Sequence, residues 1–397
     1  MAHERLRRLL HAVAPARRRA SLLLVTAASA LVFVRCTSPR EDSSAPDVQV
    51  LLDRGEDELR IGLDGEYVVE DEHGAALASG RRLVNGRIRA EGSGLELNGR
   101  GFEERALTLR PVDDALFEYG GKSYAGDLRV RRGSDGRLEM INVIDLEDYL
   151  AGVLFSEMPA SFPDQALQAQ VVAARSYARW RLSHGDPLLR ATDADQVYGG
   201  TGPLRERARS LVAATRGLVL EVGGEPLPAY FSSTCGGATV DGARVFPGAP
   251  RDGLVGTKCE WCSASPKYRW SRSIGAADLA RKLGLPAGSF SAIAPARDPF
   301  GHALAFEVTA GGRTKTFEGQ EFRRLWNAGA ANDGEKLPSA WLRTIDLSGA
   351  RVAVEGAGFG HGVGLCQYGA AGLAKAGHDW REILNFYYRG AELVKRW

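Results

Sequence analysis

Two runs of helical periodicity, joined through a proline break, constrain this chain more than any other stretch. They lie in DLEDYLAGVLFSEMPASFPDQALQAQVVAARSYARWR, residues 145–181. Leu146, Tyr149, Leu150, Val153 and Leu154 recur at the three-or-four spacing of a buried helical face. Pro159 disfavours the α conformation at Met158, so the first helix is expected to stop there. Asp164 is the expected cap of a second helix, whose apolar stripe is Leu167, Val171, Ala174 and Ala178. Glu157 therefore falls at the end of the first helix, between Phe155 and Met158. Apolar neighbours and the negative end of a helix dipole both make a carboxylate hold its proton more tightly. That is the profile of a general acid; the competing reading is a salt-bridged helix terminus.

At 397 residues the chain is long enough for more than one domain. Its formal charge of +2 is misleading, because residues 1–35 hold seven arginines and a single acid, Glu4. Without them 44 bases face 48 acids, a net of −4, which does not describe a basic nucleic-acid binder. The same segment has an arginine-rich start and a fifteen-residue apolar run, Ala20 to Val34. It reads as residues 1–36 forming an export signal or an uncleaved N-terminal membrane anchor, the run being short for a full span of about twenty residues. Cys36 invites a lipoprotein reading, against which Arg35 is a poor neighbour. Export to the cell envelope, periplasmic or extracellular, is expected, where thiols oxidise unless paired or metal-bound.

Residues 37–46 form a polar linker. Residues 47–138 then show short alternating runs such as VQVLL, LRIGL, YVVED and DLRVRR, separated by Gly, Asp-Gly and Asn-Gly turns. This is the pattern of an antiparallel β-module, and it displays no chemistry. Residues 139–397 make up the remaining core. In it we expect a helix over 205–214, strands over 217–222 and 227–231, and a helix over 276–283 in a second β-rich stretch reaching about Val354. A glycine-rich loop from Gly356 leads into a helix near Gln367, Gly377 ends that helix, and another follows over 380–388. The expected class is α+β, with an N-terminal antiparallel β-module and a mixed core whose helix pair carries Glu157.

The loop GAGFGHGVG places glycines at 356, 358, 360, 362 and 364, an alternation unlike the spacing of a dinucleotide loop. Such a backbone is suited to close approach to another surface, the ligand being one candidate. Cys259 and Cys262 form a C-x-x-C pair, and Cys235 and Cys366 add two more sulfurs. Four sulfurs fit a tetrahedral structural zinc. Two disulfides are the alternative in an exported protein, and a redox pair lacks its β-α-β context.

Several stretches together resemble the stage II sporulation protein D and amidase enhancer family of bacterial cell-wall proteins. They are GKSYAG at 121–126, LEDYLAGVLFSEMP, ALQAQVVAARSYA, DQVYGG, YFSSTCGGAT, SPKYRW, GFGHGVGLCQYGA and ILNFYY, in order over most of residues 118–390. The resemblance implies a peptidoglycan lytic transglycosylase that cleaves glycan strands, particularly strands stripped of stem peptides, with Glu157 as its acid. It also implies a zinc in some members, with a ligand set that varies. The rival from another class is a non-catalytic peptidoglycan-binding enhancer of an N-acetylmuramoyl-L-alanine amidase.

One carboxylate suffices for a transglycosylase. The sugar's own 6-hydroxyl attacks the anomeric carbon, so the same residue first protonates the leaving oxygen and then takes the hydroxyl proton. Hydrolytic glycosidases use two carboxylates, and none stands near Glu157 in sequence. Candidate sugar contacts are Gln196 and Tyr198 in DQVYGG, Arg175 and Tyr177 on the second helix, Ser232 and Ser233, Gln367, and His361 in the glycine-rich loop. Arg175 has the alternative of a structural ion pair, and Tyr177 that of a core residue. No cofactor is expected in the reaction itself.

Overall fold

The computed structural model describes residues 44–397 apart from 185–186 and 287–289. The expected signal or anchor over residues 1–36 lies outside the described residues, as does most of the linker.

Alternation of buried and exposed side chains builds two antiparallel sheets from the first hundred described residues. A seven-stranded sheet runs in the order Leu188–Arg190, Asp47–Glu56, Leu138–Asp145, Asp127–Arg132, Ala106–Pro111, Tyr67–Glu70, Ala76–Gly80. Only the first of these pairings is parallel. A six-stranded sheet contains Glu58–Leu63 and Leu83–Glu91 at its centre. The Asn98-Gly99 turn closes one of its hairpins, with both residues at positive φ, as a two-residue turn of that type requires. Leu59, Ile61, Ile88, Leu107, Leu109 and Val130 are buried in one continuous core that extends to Tyr388 near the C-terminus. The strand Leu138–Asp145 pairs on both sides within the N-terminal sheet and runs straight into the first helix.

The helices follow in the order α1 Leu146–Glu157, α2 Asp164–Ser183, α3 Arg205–Ala213, α4 Ala276–Leu283, α5 Gly319–Asn327, α6 Gln367–Lys375 and α7 Trp380–Tyr387. Asp145 caps α1 by accepting the backbone N–H groups of Glu147 and Asp148. α1 ends at Glu157, and Met158 is already extended before Pro159. The expected cap of α2 is corrected. Pro163 occupies the N-cap without a side-chain bond, and Asp164, the first helical residue, instead pairs with Arg207 of α3 at 2.8 Å. The strand expected over 227–231 is also corrected. Pro228 has no N–H to give a ladder, and the segment folds into tight turns, with Tyr230 N–H donating to the Pro228 carbonyl at 2.6 Å.

Residues 269–357 form a satellite with its own hydrophobic cluster, including Phe306, Phe322, Trp326 and Leu342. Two three-stranded antiparallel sheets and α4 and α5 compose it. It rejoins the main body where Gly356 leads into the glycine-rich loop.

The helix pair is tied together by a buried ion pair. Arg175 on α2, with no exposed surface, donates from Nε and Nη2 to the two carboxylate oxygens of Glu147 on α1, at 3.0 and 2.7 Å. Glu147 also accepts from Gly217 N–H at 3.2 Å and from the Trp397 indole at 2.8 Å. Arg175 donates further to the Val212 and Leu218 carbonyls. Removing one partner of such a pair strands a buried charge, which costs about 3–5 kcal/mol. Arg175→Met should therefore lower unfolding free energy by that order in a denaturant titration. The paired replacement Glu147→Leu with Arg175→Met should recover most of the loss.

Candidate functional site

Glu157 ends α1 half-buried. Its Oε1 accepts the backbone N–H of Val197 at 2.6 Å, and the Gln367 side chain donates a second hydrogen bond to the carboxylate. Desolvation is the largest influence and raises its pKa above the ordinary carboxylate value; both hydrogen bonds oppose that rise without cancelling it. The negative charge of Asp193 adds a smaller upward push.

The DQVYGG loop presents that Val197 N–H because its other side chains are anchored inside. Asp195 accepts from Tyr177 Oη at 2.8 Å, from Arg181 at 2.6 Å and from both the backbone and side chain of Arg190. Gln196 accepts from Tyr149 Oη at 3.0 Å and donates to the Ala174 carbonyl at 3.2 Å. Tyr198 donates to Asn142 Oδ1 at 2.8 Å and packs against the rings of Tyr124 and Tyr149. Arg175, Gln196 and Tyr198 are each no more than 2 % exposed. As sugar contacts these three are corrected: they lack surface, and their polar atoms are satisfied by the protein. Tyr177, also buried, likewise serves to hold the loop through Asp195.

Gln367 reaches Glu157 because it is the first residue of α6, directly after Cys366. The strand Leu365–Cys366 pairs in parallel with Phe231–Ser232, which places buried Ser232 beside the same turn. The Ser233 carbonyl accepts Tyr368 N–H at 3.0 Å, and the Ser233 and Thr234 hydroxyls share a hydrogen bond. The alternating glycines do approach another surface closely, and that surface is the protein's own. A Cβ at Gly358 would lie 2.7 Å from the Thr234 carbonyl oxygen, and one at Gly364 only 2.0 Å from that of Tyr230. Both glycines hold positive φ.

His361 lines a cavity of about 180 Å³ between the glycine-rich loop and the satellite, shared with Arg244, Gln320, Glu318 and Trp341. Its Nδ1 accepts Val363 N–H at 3.1 Å, and the ring also bonds the Phe231 backbone. Burial pushes its pKa down to about 4, so the imidazole is neutral near pH 7.

Cys235, Cys259, Cys262 and Cys366 are buried, free of disulfides, and have their sulfurs within 4.8 Å of one another. Cys366 Sγ also accepts the N–H groups of Cys235 at 3.1 Å and Gly369 at 3.3 Å. Hydrogen bonds from the neighbouring thiols, Cys235 foremost, pull Cys259 well below the ordinary thiol range. Four converging thiols of which one already favours its thiolate are a fitting donor set for a tetrahedral metal, and Cys235 and Cys262 stand 3.6 Å apart, not at disulfide distance.

Two neighbours of the site carry no motif. Asp193 is exposed in the loop before Val197, and Arg323 on α5 comes from the satellite; the charge of Asp193 acts on Arg323, and that of Arg323 on His361. Only the turn-rich character of residues 191–202 signals Asp193, and nothing local signals Arg323.

Comparison with known proteins settles the family. A family model described as stage II sporulation protein matches residues 134–221, the strand before α1 through the strand after α3. The stage II sporulation protein D of Bacillus subtilis is 31% identical over 274 residues, covering 64% of this chain and 76% of that protein. The chain belongs to the stage II sporulation protein D family. An uncharacterised protein of Brachyspira hyodysenteriae is 31% identical over 309 residues, 76% of this chain and 80% of its own length. The amidase enhancer of Bacillus subtilis is 29% identical over 290 residues, 62% of this chain but only 40% of the enhancer. The family's shared region thus contains Glu157, Val197 and the Glu147–Arg175 pair.

The hydrogen bond from Gln367 favours the charged form of Glu157, so its removal should raise the pKa further. In Gln367→Met the Glu157 carboxyl, followed by carbon NMR over a pH titration, should titrate at higher pH than in the unsubstituted chain. A titration that moves down or stays fixed would contradict the bond's role.

Proposed function

We propose that this protein is a peptidoglycan lytic transglycosylase that cleaves glycan strands with Glu157 as its general acid and then general base. The observation that carries the reading is the half-buried carboxylate at the end of α1, its pKa raised by desolvation while two hydrogen bonds fix its direction. A protonated Glu157 donates to the glycosidic oxygen as the bond to the anomeric carbon breaks. The resulting carboxylate, steadied by Val197 N–H and Gln367, takes the proton of the sugar's 6-hydroxyl as that oxygen closes on the anomeric carbon. The bonds from Val197 and Gln367 strengthen as charge develops on Glu157, which favours the first transfer. The likeness to stage II sporulation protein D and the cell-envelope setting expected of the N-terminal segment accord with this substrate. The reading includes strands stripped of stem peptides, as the family resemblance implies.

The cysteine cluster takes a structural zinc in this reading, held by Cys235, Cys259, Cys262 and Cys366. The metal supplies cross-linking and no chemistry to the reaction. Cys366 adjoins Gln367, so these four residues hold the start of α6, and with it the Gln367 amide, at a constant distance from Glu157. The purified protein should contain one zinc per chain by elemental analysis, with four thiols that resist alkylation until a strong chelator is added. Thiol titration that finds two disulfides would replace the metal with covalent links.

The second reading, an activator of an amidase, rests on the similarity to a protein named amidase enhancer. Product analysis separates the two. Peptide-free glycan incubated with the protein alone should yield 1,6-anhydromuramyl ends, and Glu157→Gln should lower their release at least 1,000-fold while retaining the native melting temperature. The rate should fall as pH rises through the raised Glu157 pKa, because the acid is then ionised before it can donate. Stimulation of an amidase without anhydro-sugar products would favour the activator.

A further inference from the structure

The cysteine cluster sets an electrostatic problem that a metal alone does not solve. A dication held by four thiolates leaves a doubly negative complex, and Cys235, Cys259, Cys262 and Cys366 are each no more than 3 % exposed. Buried charge of one sign needs compensation. Among the described residues no lysine, arginine or histidine hydrogen-bonds any of the four sulfurs, so the compensation falls to dipoles. Cys366 Sγ, at the N-cap and positive end of α6, takes the Cys235 and Gly369 N–H groups. Cys259 Sγ has one hydrogen-bond partner outside the cluster among the described residues, the Tyr387 hydroxyl at 3.3 Å.

Tyr387 is the last residue of α7 and only 1 % exposed. A buried phenol hydroxyl needs a partner, and among the described residues Cys259 Sγ is the one that it has. A neutral thiol is a weak acceptor. A metal-bound thiolate carries charge and no proton, so against it the hydroxyl is the donor and the bond is charge-assisted. Helix α7 is held so as to deliver this group. The Asp379–Glu382 capping box fixes its start, and Trp380 N–H donates to Gln165 Oε1 of α2 at 3.0 Å. Next to Tyr387, the Tyr388 hydroxyl donates to the Tyr230 carbonyl at 2.8 Å and takes Leu365 N–H at 3.3 Å.

Glycines on α6 make the room. A Cβ at Gly369 would overlap the Tyr387 hydroxyl oxygen and stand 3.0 Å from Cys259 Sγ and 3.2 Å from Cys366 Sγ. One at Gly372, a turn further on, would overlap the Trp261 carbonyl oxygen inside the C-x-x-C loop. A glycine inside a helix costs about 1 kcal/mol relative to alanine, and here two of them let the loop, the hydroxyl and α6 meet at the sulfurs. We propose that Tyr387 is a positioning residue of the metal site, whose hydroxyl donates to the metal-bound Cys259 thiolate, offsets part of the buried negative charge and so strengthens metal binding and ties α7 to the cluster. The inference deepens the structural-zinc reading and rests on it, and it is independent of the transglycosylase reading.

The test uses the full-length chain, unsubstituted and as Tyr387→Phe. Zinc affinity is measured by competition against a chromogenic chelator, and cobalt(II) serves as the spectroscopic probe. Tyr387→Phe should bind zinc about 10- to 100-fold more weakly, the usual effect of removing an outer hydrogen bond to a metal ligand. Its thiolate-to-cobalt charge-transfer band should move to lower energy, because a thiolate without its donor holds its electrons less tightly. The melting temperatures of the two proteins should differ more with zinc than in excess chelator. Gly369→Ala, whose methyl takes the place of the hydroxyl, should shift the band in the same direction, and it carries the test should Tyr387→Phe fail to fold. Full zinc affinity and an unmoved band in folded Tyr387→Phe overturn the proposal. So does weaker binding with the band unmoved, which reports lost packing alone, and an unmoved band in folded Gly369→Ala counts the same way. An unsubstituted chain that binds neither zinc nor cobalt(II) with its four thiols reduced removes the metal reading itself, and this proposal with it.

Discussion

The buried pair between Glu147 and Arg175 is the constraint on which the rest of this structure depends. Two opposite charges without water are stable only if nearly every donor and acceptor is used, and here they are. Glu147 collects the Arg175 guanidinium, Gly217 N–H and the Trp397 indole, while Arg175 closes the carbonyls that end α3 and begin the next strand. One knot therefore sets α1 against α2, the residues after α3 and the C-terminus. Since Glu157 lies at the opposite end of α1 from Glu147, the knot also decides where the candidate acid points.

A second layer of positioning surrounds that acid. Asp195, Gln196 and Tyr198 spend their polar atoms on the interior, and the loop that they fix turns the Val197 N–H to Glu157. The cysteine cluster does the same for Gln367 from the other side. The Glu157 carboxylate is thereby held by groups that have little freedom themselves. Residues of the family motifs thus divide into few that face the site and many that hold those few in place.

The satellite of residues 269–357 adds what the main body lacks. It brings a second wall to the cavity beside His361, and with it the Arg323 cation. Both lie in a stretch whose sequence shows ordinary strands and helices with no motif, so their relation to His361 arises only from packing.

Much of the local structure is determined by sequence alone. Proline placement and apolar spacing predict the C-terminal end of α1, the helices over 205–214, 276–283 and 380–388, and the β-rich first hundred residues, because these depend on interactions within a few residues. Glu157 stands out for the same reason, as a carboxylate at a helix C-terminus among apolar neighbours. Tertiary structure decides which polar side chains near it face inward. Arg175, Gln196 and Tyr198 look alike in sequence whether they grip a sugar or the interior, since hydrogen-bonding capacity is the same in both. It decides too that alternating glycines meet the 230–236 backbone, that four distant cysteines converge, and that Asp193 comes within electrostatic reach of Glu157. Each of these is a contact between residues far apart in the chain, and local periodicity holds no information about such distances.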